Sequence, residues 1–323
     1  MLPRYKKYPV EGIGVRGFAE LFLFLNQNAM KRLQILLFIA LGYGISMNAF
    51  AQKADEIISS YTGANSLGYL QPLADVLTST FNTGHLHKTS IDSGFHLYLG
   101  VTAFSTWIMD DKSRYFQGVT EGIFSPVQQA RVPTIVGPRE IVTVNGLNGT
   151  SYTFPAGLGV KSLLLAAPQI TVGSIFGTEF NVRFVGYDFG GDFGKLQFLG
   201  GGVRHDVGRY FLKNSSVKIS TEYCYQQLKV GNYADLTTHK VGVYAGHQWK
   251  LFHYYGYLGY QKGAMNINYE GSTDASAIHV PLTNQNPLLL AAGMGVRLWI
   301  FRLNVHGSFI RPVVGGVSLG LSF

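Results

Sequence analysis

The chain has 323 residues, 46% hydrophobic, with 40 Gly, 22 Phe, 19 Tyr, a single Cys and a formal charge of +8. Six Lys/Arg and two Asp/Glu lie in the first 51 residues, so 20 and 16 remain beyond them; the residual +4 is mild and scattered, which argues against a nucleic-acid surface. Past Ile45 no apolar run approaches the roughly 20 residues of a spanning helix, so hydrophobicity is spread along the chain and a helical membrane protein is excluded.

Met30-Lys31-Arg32 opens a basic start, and Leu33 to Ile45 is a mostly apolar stretch. Ala49-Phe50-Ala51 then offers small residues at the spacing a signal peptidase reads. Residues 30–51 are expected to be a signal peptide cleaved near Ala51, with Gln52 first in the mature protein. The apolar run is short for a membrane anchor, and no Cys at the cleavage point calls for a lipoprotein. Residues 1–29 precede an otherwise complete signal and are expected to be a non-native upstream extension, with Met30 as the initiator.

Residues 52–92 read as helical in two pieces, Ala54–Tyr61 and Tyr69–Phe81, interrupted at Gly63 and Gly68 and restarted near Pro72. Leu70, Leu73, Val76 and Leu77 fall on one helix face. This segment is expected to be either a periplasmic cap on a barrel rim or a plug in its lumen. His85 and His87 follow at a spacing that two metal ligands can have. With no third ligand at a recognisable distance, they are expected to be solvated loop histidines.

Residues 93–323 read as strands that alternate apolar with small or polar residues, the weak per-segment signal of a transmembrane barrel. Phe95, Leu97, Leu99 and Val101 alternate against His96, Tyr98, Gly100 and Thr102. Phe180, Val182 and Phe184 alternate against Glu179, Asn181 and Arg183, and the period recurs from Leu196, Val217, Val241, Phe252, Leu288 and Phe301. The last run, Val313 to Phe323, alternates Val317, Leu319 and Leu321 with Ser318, Gly320 and Ser322, and it closes on an aromatic residue. A terminal aromatic resembles the signal by which Gram-negative outer-membrane proteins engage the barrel-assembly machinery.

Connections alternate in length. Very short turns are expected near Gly177, Lys250 and Trp299-Ile300, and longer loops at Asp188–Gly194, Lys229–Thr238 and Gly263–Pro287. Short turns belong on the periplasmic side and long loops outside, which puts Phe323 and all three short turns at the periplasmic end. Tyr210-Phe211, Trp249 with Phe252 and Trp299 with Phe301 cluster at that end, where amphipathic rings settle at a membrane interface. Nine strands from Gln169 onward require an odd number between Ser93 and Ala167. The fold expected is therefore all-β: a transmembrane antiparallel β-barrel of about twelve strands, with fourteen as the alternative, preceded by a short helical segment.

The chemistry of sites is sparse. No G-x-S-x-G, C-x-x-C, H-E-x-x-H or phosphate-cradling loop is present, so no catalytic residue, metal ligand or cofactor is assigned and the chain is read as a non-enzyme. Gly200 to Arg204 is glycine-rich but lies within a strand. Cys224 is expected to be a buried free thiol, and His205-Asp206 to serve capping or hydrogen bonding at a turn. Glu179, Arg183, Glu222, Arg297, Arg302 and His306 share inward parity and form the candidate lumen or constriction set, able to hydrate the lumen or to filter solutes by charge. Ser308 beside His306 has the parity that a barrel-embedded hydrolase would need, without a third member.

Tyr69-Leu-Gln-Pro72, Phe81-Asn-Thr-Gly84, Ala167 to Gly173, Phe176 to Glu179 and Gly202 to Asp206 carry a family likeness. On these motifs the chain resembles an uncharacterised outer-membrane β-barrel family of Bacteroidota, distantly similar in layout to FadL-type transporters. That resemblance implies a plug-like preface and a barrel over most of residues 55–323, and it supplies no residues for a fatty-acid site. The function expected is a passive channel or FadL-like transporter for small or hydrophobic solutes in the Gram-negative outer membrane. Its partners would be outer-membrane lipids, the assembly machinery and the solute, without nucleic acid. A lipid-modifying barrel enzyme and a structural or adhesive barrel acting through external loops are the alternatives.

Overall fold

A computed structural model describes residues 61, 63–188, 195–212, 215–269 and 278–323. The upstream extension, the signal peptide and all of the first expected helical piece but Tyr61 lie outside these residues.

Ten strands close into an antiparallel barrel: β1 (His96–Trp107), β6 (Ser162–Ile175), β7 (Thr178–Asp188), β8 (Lys195–His205), β9 (Val217–Val230), β10 (Ala234–Trp249), β11 (Phe252–Tyr269), β13 (Leu288–Leu298), β14 (Phe301–Ser308) and β15 (Val313–Ser322). Each pairs with its neighbours in sequence order, β1 pairs with both β6 and β15, and β13 continues the round from β11. Closure removes every sheet edge, as a wall immersed in hydrocarbon requires. The wall therefore has ten strands where the sequence pattern led to twelve. Nine run from Ser162 onward as expected, and the odd remainder is one, β1.

The difference lies between Trp107 and Ser162. That stretch makes two small hairpins, β2 (Tyr115–Val119) with β3 (Gln129–Pro133) and β4 (Val142–Asn145) with β5 (Ser151–Phe154). At four or five residues these strands are too short to cross a membrane, which takes about nine to eleven. They belong to the outer end, opposite the short turns. A further short strand, β12 (Ile278–Thr283), pairs with the outer extension of β11 from Ala264 to Tyr269, so the expected Gly263–Pro287 loop is partly strand. Likewise β9 and β10 run together to Val230 and Ala234, which shortens the expected Lys229–Thr238 loop. The three short turns are two-residue connections, with positive φ at Phe176, Gly177, Lys250 and Trp299. Mirror-image turns of this kind match the right-handed twist of the strands they join.

The alternation sorts side chains as lipid demands. On β14 the exposed set is Phe301, Leu303 and Val305, and the buried set Arg302, Asn304, His306 and Ser308. On β9 Tyr223 and Tyr225 face out while Ser220, Glu222, Cys224 and Gln226 face in. Tyr210, Phe211, Trp249, Phe252, Trp299 and Phe301 are all exposed at the short-turn end, an interfacial girdle.

Inside the wall runs α1 (Gly63–Phe81), with Pro72 within it; it begins six residues before the second expected piece, Tyr69–Phe81, and runs through Gly68 without a break. Gly68 has a packing reason: a Cβ there would sit 2.4 Å from the Phe116 ring, so glycine admits that ring against the helix backbone. Residues Leu70, Ala74, Val76 and Phe81 form an apolar layer with Phe104, Ile108, Phe154, Phe198, Met265 and Leu282 at the outer end. From Ala74 to Phe81 every residue but Leu77, which is half-buried, is buried. Gly263 on β11 lets the helix approach: a Cβ there would fall 1.9 Å from Thr78 Oγ1.

Candidate functional site

Below the apolar layer the chain leaves the helix and continues as an irregular strand of residues 82–94 through the polar half of the lumen. An irregular backbone inside a membrane must have its polar groups satisfied by protein, and here the wall does so. Gln226 Nε2 donates to the Phe81 carbonyl at 2.8 Å, Gln169 Nε2 to that of His85 at 3.0 Å, and Arg204 Nη1 to that of Lys88 at 2.9 Å. Arg183 Nη1 donates to the Thr83 carbonyl at 3.0 Å, its Nη2 reaches the Gly84 carbonyl, and its Nε donates to Gln169 Oε1 at 2.9 Å. Gln169, Arg183, Arg204 and Gln226, one side chain each from β6, β7, β8 and β9, thus hold five carbonyls between Phe81 and Lys88, and Gln226 and Thr238 also donate to Asn82 Oδ1 at 2.9 and 3.1 Å. Gly84 has φ +71°, and a Cβ there would strike the His306 ring at 2.3 Å, so glycine is required by both conformation and space.

The charged wall residues are paired around this strap. Glu179 Oε1 lies 2.6 Å from Arg204 Nη2, and Glu179 Oε2 lies 3.2 Å from His96 Nε2. Glu222 Oε2 lies 2.5 Å from Lys240 Nζ and accepts from Tyr244 OH at 2.9 Å. Lys88 of the strap pairs with Asp92 at 2.7 Å. Buried charges are tolerable only when paired and further hydrogen-bonded, and both interior pairs meet that condition.

Of the six candidate lumen residues, Glu179, Arg183, Glu222, Arg302 and His306 are buried in the lumen. Arg297 is exposed at the short-turn mouth of the barrel, where its Nε donates to the Trp299 carbonyl at 3.1 Å. Arg204 and Lys240, the counter-charges of Glu179 and Glu222, were not singled out by the sequence. Their inward parity was legible, since Arg204 alternates with Val203 and Lys240 with Val241, but parity does not say which charge meets which. His85 and His87 are buried, contrary to the expectation of solvated loop residues. His87 stacks on Tyr98 with ring centroids 4.3 Å apart, and His85 Nδ1 lies 3.5 Å from Cys224 Sγ.

Ligand atoms of His85, Glu222 and Cys224 lie within 4.8 Å of one another, a donor set that zinc can use. Lys240 already neutralises Glu222, and Arg183 Nη1 lies 3.2 Å from His85 Nε2. Two adjacent cations oppose a further divalent charge, so the set does not fit a metal. Cys224 is free and buried. Ser308 and His306 share the inner face of β14, but no hydrogen bond joins them. At the β8–β9 connection His205 Nδ1 bonds Thr178 Oγ1 at 2.8 Å, and Asp206 accepts from Arg209 N at 3.2 Å to cap a short 3-10 turn.

A closed antiparallel barrel with an apolar exterior, an aromatic girdle and a charged, hydrogen-bonded interior defines the class of transmembrane β-barrels found in Gram-negative outer membranes. Within that class, residues 30–323 match a family of unknown function, DUF6588, and the chain belongs to it. No curated protein sequence matches. Among solved structures the chain is similar to the toluene transporter TbuX of Ralstonia pickettii (11% identity, 78% of this chain and 98% of that chain, TM-score 0.27). It is also similar to Ail, the attachment invasion locus protein of Yersinia pestis (12%, 71% and 99%, 0.26), and to the toluene transporter TodX of Pseudomonas putida (9%, 81% and 93%, 0.26). At these identities and TM-scores the class rests on this chain's own barrel.

Proposed function

We propose that the protein is an outer-membrane transport barrel for small or hydrophobic solutes, shut in this conformation by residues 63–94 acting as a plug. The observation that carries this reading is the wall's grip on the strap: five backbone carbonyls between Phe81 and Lys88 are held by Gln169, Arg183, Arg204 and Gln226. Such bonds can be exchanged for water when the strap moves, because a hydrated lumen satisfies both the wall donors and the freed carbonyls. The apolar layer around α1 is what an incoming solute meets first from outside, which favours hydrophobic over charged cargo.

A reversible tether tests this. Thr80 Oγ1 of α1 and Thr106 Oγ1 of β1 lie 2.5 Å apart, so Thr80→Cys with Thr106→Cys, in a Cys224→Ser background, can lock the plug to the wall. Reconstituted in planar bilayers and liposomes, the oxidised protein should neither conduct nor admit a small aromatic solute, and reduction should restore both. Equal behaviour in the two states would count against the plug. A second reading, adhesion through the outer hairpins, is favoured only by their exposed Ile123, Val127, Ile141 and Leu147.

A further inference from the structure

The lumen treats its buried cations alike with one exception. Arg204, Lys240 and Lys88 each have a carboxylate partner, and Arg183 spends its donors on backbone and amide oxygens. Arg302, on the inner face of β14, is 4% exposed and makes no ion pair or hydrogen bond among the described residues; its Nε is left without an acceptor. The two carboxylates whose charge reaches it, Asp92 and Glu179, are held by Lys88 and by Arg204 with His96.

Directly across the β13–β14 pairing stands a second cation, Arg297, also without a carboxylate. Side chains directly opposite in a sheet have Cβ atoms about 5 Å apart, and like charges there destabilise one another. Two polar side chains next along the wall have no partner beyond each other. Asn304 Nδ2 and His253 Nε2 have no aligned hydrogen-bond partner, and the two side chains lie together over Gly295. A buried, uncompensated guanidinium is costly, and Arg302 in that state, with the exposed Arg297 opposite it and Asn304 and His253 beside it, is arranged as oxyanion receptors are.

We propose that the periplasmic mouth of the lumen is an oxyanion-binding site, with Arg302 and Arg297 as the charged receptors and Asn304 and His253 as neutral donors. The group it takes is a phosphate or similar oxyanion, on a free solute or on a lipid headgroup at the inner leaflet. The site does not depend on the plug reading, since it is defined at the mouth and tested by binding and not by conduction.

The test uses the full barrel refolded in a detergent without phosphate. Thermal unfolding and calorimetric titration with inorganic phosphate are compared with chloride at equal ionic strength. Parallel samples receive mixed micelles carrying a phospholipid. The wild type should bind saturably and unfold at a higher temperature with one of the two sources, which also identifies the source. Arg302→Gln should lose that response and, without phosphate, unfold no lower than the wild type, because a lone buried charge has been removed. Arg297→Gln is at an exposed position and keeps the fold; it should weaken phosphate binding about tenfold or more, the value of one charge-assisted hydrogen bond. No response of the wild type to either source, or an equal response in both variants, would overturn the proposal.

Discussion

Replacing Arg183 with Met is the sharpest test of how the strap is held. Met keeps the unbranched stem, ending about where Nε stands, and introduces no charge, so the change removes the guanidinium. Two bonds from Arg183 hold the strap directly, at the carbonyls of Thr83 and Gly84. Hydrogen bonds to a charged group contribute about 1.5–3 kcal/mol each, a gross grip of about 3–6 kcal/mol. Part of that offsets the desolvation of a fully buried guanidinium, leaving a net loss of about 3 kcal/mol in strap attachment. A shift of that size raises the displaced population about 150-fold. Hydrogen exchange of amides 82–88 in reconstituted protein should quicken by a comparable factor, while strands β9 and β10 exchange as before. Spontaneous channel openings should become more frequent in the same preparation. If the strap amides exchange at the wild-type rate in a folded Arg183→Met barrel, the proposed grip is not what holds the segment, whatever the conductance does.

Three further outcomes are expected. Lys240→Met leaves Glu222 buried without its counter-charge and should cost about 3–5 kcal/mol in urea unfolding, whereas Lys240→Met with Glu222→Gln should recover much of it; a double variant as weak as the single would refute the pairing as the cause. Val305→Arg places a charge on the lipid face midway along β14 and should cost about 2–4 kcal/mol in lipid vesicles, while a change near zero would mean that this face does not meet hydrocarbon. Gly263→Ala drives a methyl into Thr78 and should loosen α1, seen as faster exchange in the helix, and Thr78→Ala should relieve most of it because the nearest atom, Oγ1 at 1.9 Å, is removed; no relief would place the strain elsewhere.

The sequence made the wall legible wherever a side chain has only two choices. In Glu222, Cys224 and Gln226 against Tyr223 and Tyr225, or Arg302, Asn304 and His306 against Leu303 and Val305, the face follows from parity alone, because lipid and lumen select opposite chemistries at every second residue. The short turns at Gly177, Lys250 and Trp299 were legible for a similar reason: two-residue connections leave no slack between adjoining alternating runs. Between Ser105 and Ala166 that logic had nothing to act on. Prolines and turn residues interrupt the period there, and hairpins of four or five residues alternate as briefly as noise does, so the strand count came out two too high.

What the sequence determined by itself was a β-barrel with an apolar outside, a polar inside and both ends of the described wall on the short-turn side. Those follow from a period of two and from the solvent on each face, both local properties. Tertiary structure alone decided the number of strands, the pairing of Arg204 with Glu179 and Lys240 with Glu222, and the burial of His85 and His87. It also left Arg302 without a partner. Each of these depends on register around a closed sheet and on the path of an irregular strap, which bring together residues from 18 to 145 positions apart, such as Lys240 with Glu222 and Gln226 with Phe81. No periodicity in the chain encodes such distances; closure of the barrel sets them.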